Sequence, residues 1–179
     1  MLNKDNAVFI AIDFQEKLIV AMNNAAELEA TTAKLCKGID VMGIPKLVTT
    51  QYAKGLGPTT EAITEALGEF EPIDKATFSV FGNEEFMSAF KAIDKKQVII
   101  CGIEAHICLQ QSALELIEMG YEVYVPADCI SSRKEYDCQI SIERMRAAGC
   151  IITTYESVLY ELMKGSKAPE FKEISAIVK

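Results

Sequence analysis

The chain has 179 residues, half of them apolar, with 18 Lys and Arg against 26 Asp and Glu, a formal net charge of −8. That length and composition suffice for one buried core, so a single domain over residues 1–179 is expected. The acidic balance and the lack of any basic run argue against nucleic acid and anionic membranes as partners, since both reward clustered Lys and Arg.

The first element in chain order is an apolar run, Ala7 to Ile12 (AVFIAI), ended by Asp13. Six apolar residues are too few for a signal peptide's hydrophobic region or a bilayer span, so a soluble, cytoplasmic protein is expected. The run reads as a strand, and further strands are expected at 45–50 (PKLVTT), near 72–74, and at 97–102 (QVIICG), 121–125 (YEVYV) and 150–153 (CIIT). Helices are expected at about 24–42, 59–68, 83–93, 106–119, 134–148 and 155–163, with one more from Pro169. Three of the strands are nearly continuous apolar runs, the pattern of strands buried on both faces in a helix-covered parallel sheet. The alternation of strand and helix predicts an α/β fold, a three-layer Rossmann-like sandwich with a mostly parallel six-stranded sheet and helices on both faces. A mean hydropathy of +0.14 adds the expectation of buried subunit interfaces and hence a homo-oligomer.

Ligands of open α/β sheets bind beyond the carboxyl ends of the strands, so the residues that follow each strand carry the functional reading. Asp13 follows the first strand and suits a base there; its alternative role is to cap the next segment. The second strand leads into the Gly-rich loop TTQYAKGLGPT (49–59). It contains neither G-x-x-x-x-G-K-[ST] nor G-x-G-x-x-G, so nucleotide binding is not supported and no cofactor is expected. Lys75 stands by the third strand in DKATFSVFG, where the apolar residues that follow imply partial burial. A buried ammonium needs a partner, and a carboxylate or a thiolate would serve. The fourth strand runs through IEA into HICLQQSALEL, which puts Cys108 in the first turn of a helix. Free N–H groups and the macrodipole favour an anion there and lower a thiol's pKa. The alternative is a core thiol packed with Ile107, Leu114 and Ile117.

The six cysteines, at 36, 101, 108, 129, 138 and 150, form no C-x-x-C, and the single histidine, His106, cannot complete a zinc set. Neither a dithiol redox site nor a metal site is expected. A phosphatase-type C-x₅-R is absent too, since position 114 is Leu. On a helix, residues 106 and 108 project about 200° apart, so their spacing does not make a Cys–His pair. Contact stays open if His106 lies in the turn.

Three segments in order, AIDFQ (11–15), KATFSVF (75–81) and GIEAHICLQQSALEL (102–116), resemble the isochorismatase-like cysteine hydrolases. That superfamily includes nicotinamidase, N-carbamoylsarcosine amidohydrolase and isochorismatase. TTQYAKGLGPT and PADCISSR (126–133) extend the resemblance to compact isochorismatase-domain proteins over nearly the whole chain. It implies a triad in which Asp13 takes the thiol proton, Lys75 stabilises charge and orients the carboxylate, and Cys108 attacks a carbonyl carbon to give a thioester. It also implies an oxyanion hole from the backbone N–H of Cys108 and of Ile103 or Glu104, and a non-proline cis peptide at Ile103–Glu104. Nicotinamidases carry a metal site with histidines near the second-strand loop; this chain has none there, so a metal-dependent nicotinamidase is not expected. A retained cysteine favours amide or ester chemistry over vinyl ether cleavage. The expectation is therefore a metal-independent cysteine hydrolase acting on a C–N bond of a small-molecule amide. Gln15, Tyr52, Phe78 and Phe81 are its candidate substrate contacts, with plain packing as the alternative for each. The rival readings are a thiol-based redox sensor, a non-catalytic oligomeric small-molecule-binding protein, and a phosphate-acceptor domain using Asp13 with Asp74.

Overall fold

The computed structural model describes residues 1–179. Its sheet contains β1 (Ala7–Ile12), β2 (Lys46–Gln51), β3 (Pro72–Lys75), β4 (Gln97–Ile103), β5 (Glu122–Pro126), β6 (Ile130–Ser131) and β7 (Ile151–Thr153). The strands run in the order β3-β2-β1-β4-β5-β7, with β6 beside β4, and every pairing is parallel. The sheet thus has seven strands where the sequence predicts six. The extra strand is two residues long, too short to leave a periodic signal, and pairs only with Gly102 and Ile103.

The helices are α1 (Glu16–Ile19), α2 (Ala25–Val41), α3 (Ala53–Leu56), α4 (Glu61–Leu67), α5 (Glu84–Ile93), α6 (Gln110–Glu118), α7 (Glu135–Ala147), α8 (Tyr155–Met163) and α9 (Phe171–Val178). Parallel neighbours need crossovers, and the longer helices supply them. On one face α2 packs against α4, α8 and α9, while α6 and α7 pack together on the other. Local signals set the helix ends. The Asn83 side chain accepts from the Phe86 N–H at 2.9 Å with Glu84 and Glu85 in the first turn of α5, and Thr154 accepts from Ser157 at the start of α8. No helix is long and apolar enough to cross a membrane.

β1 lies between β2 and β4, which explains why all six of its residues are apolar and buried. Each fully buried side chain of the size of Phe9 or Ile10 contributes about 1.5–3 kcal/mol by leaving water. From β1 the chain winds outward through β2 to β3 and then returns to β4 on the other side. The reversal leaves a crevice between the carboxyl ends of β1 and β4, the usual ligand position in such sheets. Gly102, paired with Ile12, makes the close approach possible. Its φ is +153°, and a Cβ there would stand 2.5 Å from the Ile12 carbonyl oxygen.

Candidate active site

Asp13 leaves β1 with a φ of +56°, in the left-handed region that Asp tolerates better than most side chains. Its N–H donates to the Thr49 carbonyl at 3.1 Å and its carbonyl accepts from Gln15 N–H at 2.7 Å. The chain therefore turns sharply at the strand end, and the carboxylate is completely buried. Oδ1 accepts from the Thr49 hydroxyl at 2.7 Å, and Oδ2 accepts from Lys75 Nζ at 2.7 Å.

Lys75 ends β3, where the alternation of Ile73 and Lys75 inward with Pro72 and Asp74 outward turns its side chain toward the interior. Register places it beside Gln51 of β2. Its ammonium donates to Asp13 Oδ2, to Gln51 Oε1 at 2.7 Å and to the Thr77 carbonyl at 3.2 Å. Three donors thus meet three acceptors, which is what makes a buried ammonium tolerable. Gln51 is held in turn by its own amide, which donates to the Ala76 carbonyl at 3.0 Å. Thr49 and Gln51 are the two residues of this site that the sequence reading passes over. Their signal is the alternation in TTQ, legible only once β2 is paired with β1 at Thr49 and with β3 at Gln51.

Cys108 arrives from β4. The Ile103–Glu104 peptide is cis, and a π-helical turn, Ala105–Leu109, follows before α6 begins. Within that turn the Glu104 carbonyl accepts from both Ile107 N–H at 3.0 Å and Leu109 N–H at 3.4 Å. Ser112 donates to the Cys108 carbonyl at 2.7 Å and accepts from Val80 N–H at 3.1 Å, which ties the turn to the segment after Lys75.

The thiol, buried at 6 % exposure, lies where both Asp13 and Lys75 act on it. Burial first, and the Asp13 carboxylate second, push its pKa up to about 12, against the lowering pull of the Lys75 ammonium. This reverses the expectation of a depressed thiol. The regular helix starts only at Gln110, two residues past Cys108, and burial with the Asp13 carboxylate decides the direction.

His106 belongs elsewhere. Its Nδ1 is 2.9 Å from the Ser132 hydroxyl and its Nε2 is 4.0 Å from Asp137, so the imidazole serves the α7 side. Glu104 is held by Arg133, which bonds it through its backbone N–H and Nε at 3.0–3.1 Å. Asp74 accepts from Thr50 and from Ala53 N–H on the outer face of the β2–β3 edge, so the two carboxylates of the phosphate-acceptor reading do not share a site. A cavity of 920 Å³ lies by Thr50, Pro58 and Phe70 and is lined by none of Asp13, Lys75 and Cys108.

The four aromatic and amide candidates divide. Gln15 is fully buried, and its amide bonds the Gln51 N–H and the Gln51 and Gly57 carbonyls at 2.7–3.1 Å, bracing the second-strand loop. Phe81 packs edge-on against Phe86 and Phe90 at 5.6 and 5.2 Å between centroids. Tyr52 and Phe78 are instead 59 % and 54 % exposed; Tyr52 N–H donates to the Lys75 carbonyl at 3.2 Å, and Phe78 follows Thr77, whose carbonyl accepts from the Lys75 ammonium.

A family model of the isochorismatase domain matches residues 7–157. The chain belongs to the isochorismatase domain family. The domain is 36 % identical to isochorismatase domain-containing protein 2 of Danio rerio over 99 % of this chain and 89 % of that one. It is 34 % identical to the secreted isochorismatase effector Isc1 of Phytophthora sojae, over 96 % and 80 %. Among solved structures, a MAR1 ribonuclease from Caenorhabditis elegans superposes with a TM-score of 0.92 at 35 % identity, covering 99 % of this chain and 91 % of that one. YcaC from Pseudomonas aeruginosa, described with hexane-2,5-diol and covalent acrylamide, superposes at 0.93 with 25 % identity, covering 99 % and 89 %. The isochorismatase domain described here is an isochorismatase-family hydrolase with an Asp, a Lys and a Cys gathered at the switch point of its sheet.

Proposed function

We propose that this protein is a metal-independent cysteine hydrolase that cleaves a C–N bond of a small amide through a thioester on Cys108. The observation that carries the reading is the convergence of Asp13, Lys75 and Cys108, from three strand ends, on one buried point beside the β1–β4 crevice. In the resting site the thiol keeps its proton, and Asp13 is the acceptor beside it. As the Cys108 sulfur bonds the substrate's carbonyl carbon, its proton passes to Asp13, and Lys75 offsets the charge that develops. The backbone N–H of Cys108 and of Ile103 or Glu104 is assigned to the carbonyl oxygen. Collapse breaks the C–N bond, and the amine leaves with the proton from Asp13. Water, deprotonated by the same carboxylate, then cleaves the thioester to a carboxylic acid and returns the thiol. Tyr52 and Phe78 form the aromatic rim that takes the substrate's apolar part; Gln15 and Phe81 brace the frame behind it. The covalent acrylamide described for the YcaC neighbour fits a site of this type.

A thiol-based sensor is the weaker reading, because sensor cysteines are accessible and low in pKa, whereas Cys108 is buried and high. The relative described as a ribonuclease makes RNA a compound to test, against a net charge of −8 that repels a polyanion. The six free cysteines suit a reducing, cytoplasmic setting. Homo-oligomerisation is part of the proposal. The test is turnover of a panel of small primary and secondary amides, carbamoyl compounds, esters and an RNA oligonucleotide, with Cys108→Ser and Asp13→Asn as controls. Amide turnover abolished by both changes is expected; turnover that survives Cys108→Ser, or confined to RNA, overturns the reading.

A further inference from the structure

Another cavity, of 260 Å³, opens between the turn that carries His106 and the face of α7 that bears Asp137, Ser141 and Arg144. Its floor is Gln110, only 7 % exposed, whose side-chain amide has no partner in the protein yet is not among the sealed polar atoms, so it opens on the cavity. Nearby, Ser141 of α7 is wholly buried and its hydroxyl is likewise without a partner. Buried polar groups are nearly always satisfied, so an unpaired amide facing a cavity points to a ligand that completes it.

The walls say which ligand. Asp137, Ile140 and Arg144 line the cavity along α7. Arg144 makes no ion pair, and Asp137 makes none with a Lys or Arg; the His106 imidazole stands 4.0 Å from its carboxylate. One anion and one cation thus stand seven residues apart, about 10 Å along the helix axis, with an aliphatic side chain between them. Arg side chains lean back toward the helix N-terminus, which shortens the gap but does not close it. At about 30 Å³ per water-sized group, the volume holds about nine non-hydrogen atoms.

We propose that this cavity is a second binding site, for a small ω-amino carboxylate. Its carboxylate pairs with Arg144, its ammonium with Asp137, its methylenes lie on Ile140, and the Gln110 amide bonds whichever polar end dips to the floor. The site does not depend on the hydrolase reading. It shares the Ala105–Leu109 turn with Cys108, through His106, but uses none of the triad.

The test is calorimetric titration of the full chain with glycine, 4-aminobutanoate, 6-aminohexanoate, hexanoate and hexylamine. Saturable binding is expected to grow with chain length across the amino acids, and hexanoate and hexylamine should each bind about tenfold or more weakly than 6-aminohexanoate. Arg144→Ala and Asp137→Asn, both on the helix surface, should each weaken 6-aminohexanoate about tenfold or more. The Cys108→Ser protein should bind 6-aminohexanoate as the wild type does. The proposal is overturned if no amino acid binds, if hexanoate binds as well as 6-aminohexanoate, if neither α7 variant changes the affinity, or if Cys108→Ser abolishes binding.

Discussion

The Lys75 ammonium sits 2.7 Å from Asp13 Oδ2 with both side chains sealed from solvent. Such a pair owes its survival to satisfied partners rather than to net Coulomb gain, and removing one member strands the other. Lys75→Met should therefore cost about 3–5 kcal/mol. The double variant Lys75→Met/Asp13→Asn, which buries no net charge, should recover part of that loss. Urea midpoints for the two proteins check this, and equal losses in both would contradict it.

Asp13→Asn should move turnover and thiol reactivity in opposite directions. The carboxylate raises the Cys108 pKa and the ammonium lowers it, so with the carboxylate neutralised Lys75 is free to pair with a thiolate. Iodoacetamide labelling of Cys108 across pH should show a midpoint well below about 12, while amide turnover falls by about two to four orders of magnitude for want of a base. A labelling profile identical to that of the wild type would contradict this.

Alkali should loosen the fold. Burial raises the pKa of Cys36, Cys101 and Cys129, raises Cys150 to about 11, and with Asp13 raises Cys108 to about 12. Unfolded thiols ionise near 8.5, so above that the native state holds more protons than the unfolded one and stability falls as pH rises. The contribution is fully present below about pH 8.5 and is lost progressively toward the folded pKa values. Urea midpoints from neutral pH upward should decline, and more shallowly in Cys101→Ala; a flat or rising profile would contradict the assignment.

Gly102→Ala should damage both stability and the site. A methyl group placed 2.5 Å from the Ile12 carbonyl oxygen must push β1 and β4 apart. A loss of about 1–3 kcal/mol is expected, as for other overpacked interiors. Because the same strand ends position Asp13 and Cys108, turnover should fall more than stability at a permissive temperature. Thermal melts together with kcat measure the two effects.

Much of the frame is legible in the sequence. AVFIAI becomes β1 residue for residue, because a strand buried on both faces cannot accommodate a polar residue. Asp13, Lys75 and Cys108 were legible as strand-end residues, since an α/β sheet presents its ligands there. Less visible are interactions that depend on register or on distant packing. Thr49 reaches Asp13 only through the pairing of β2 with β1, Gln51 reaches Lys75 only through the pairing of β2 with β3, and His106 finds its partner 26 residues onward at Ser132. The direction of the Cys108 shift is not legible locally, because the rule for helix starts omits burial and the carboxylate brought in from β1.

Intact-protein mass spectrometry of the wild type, quenched during turnover of an amide substrate, tests the triad most directly. The proposed mechanism requires a mass gain equal to the acyl half of the substrate, mapped to the Cys108 peptide, formed far more slowly in Asp13→Asn and not at all in Cys108→Ser. Turnover with no acyl group on Cys108, or acylation at the same rate in Asp13→Asn, would contradict it.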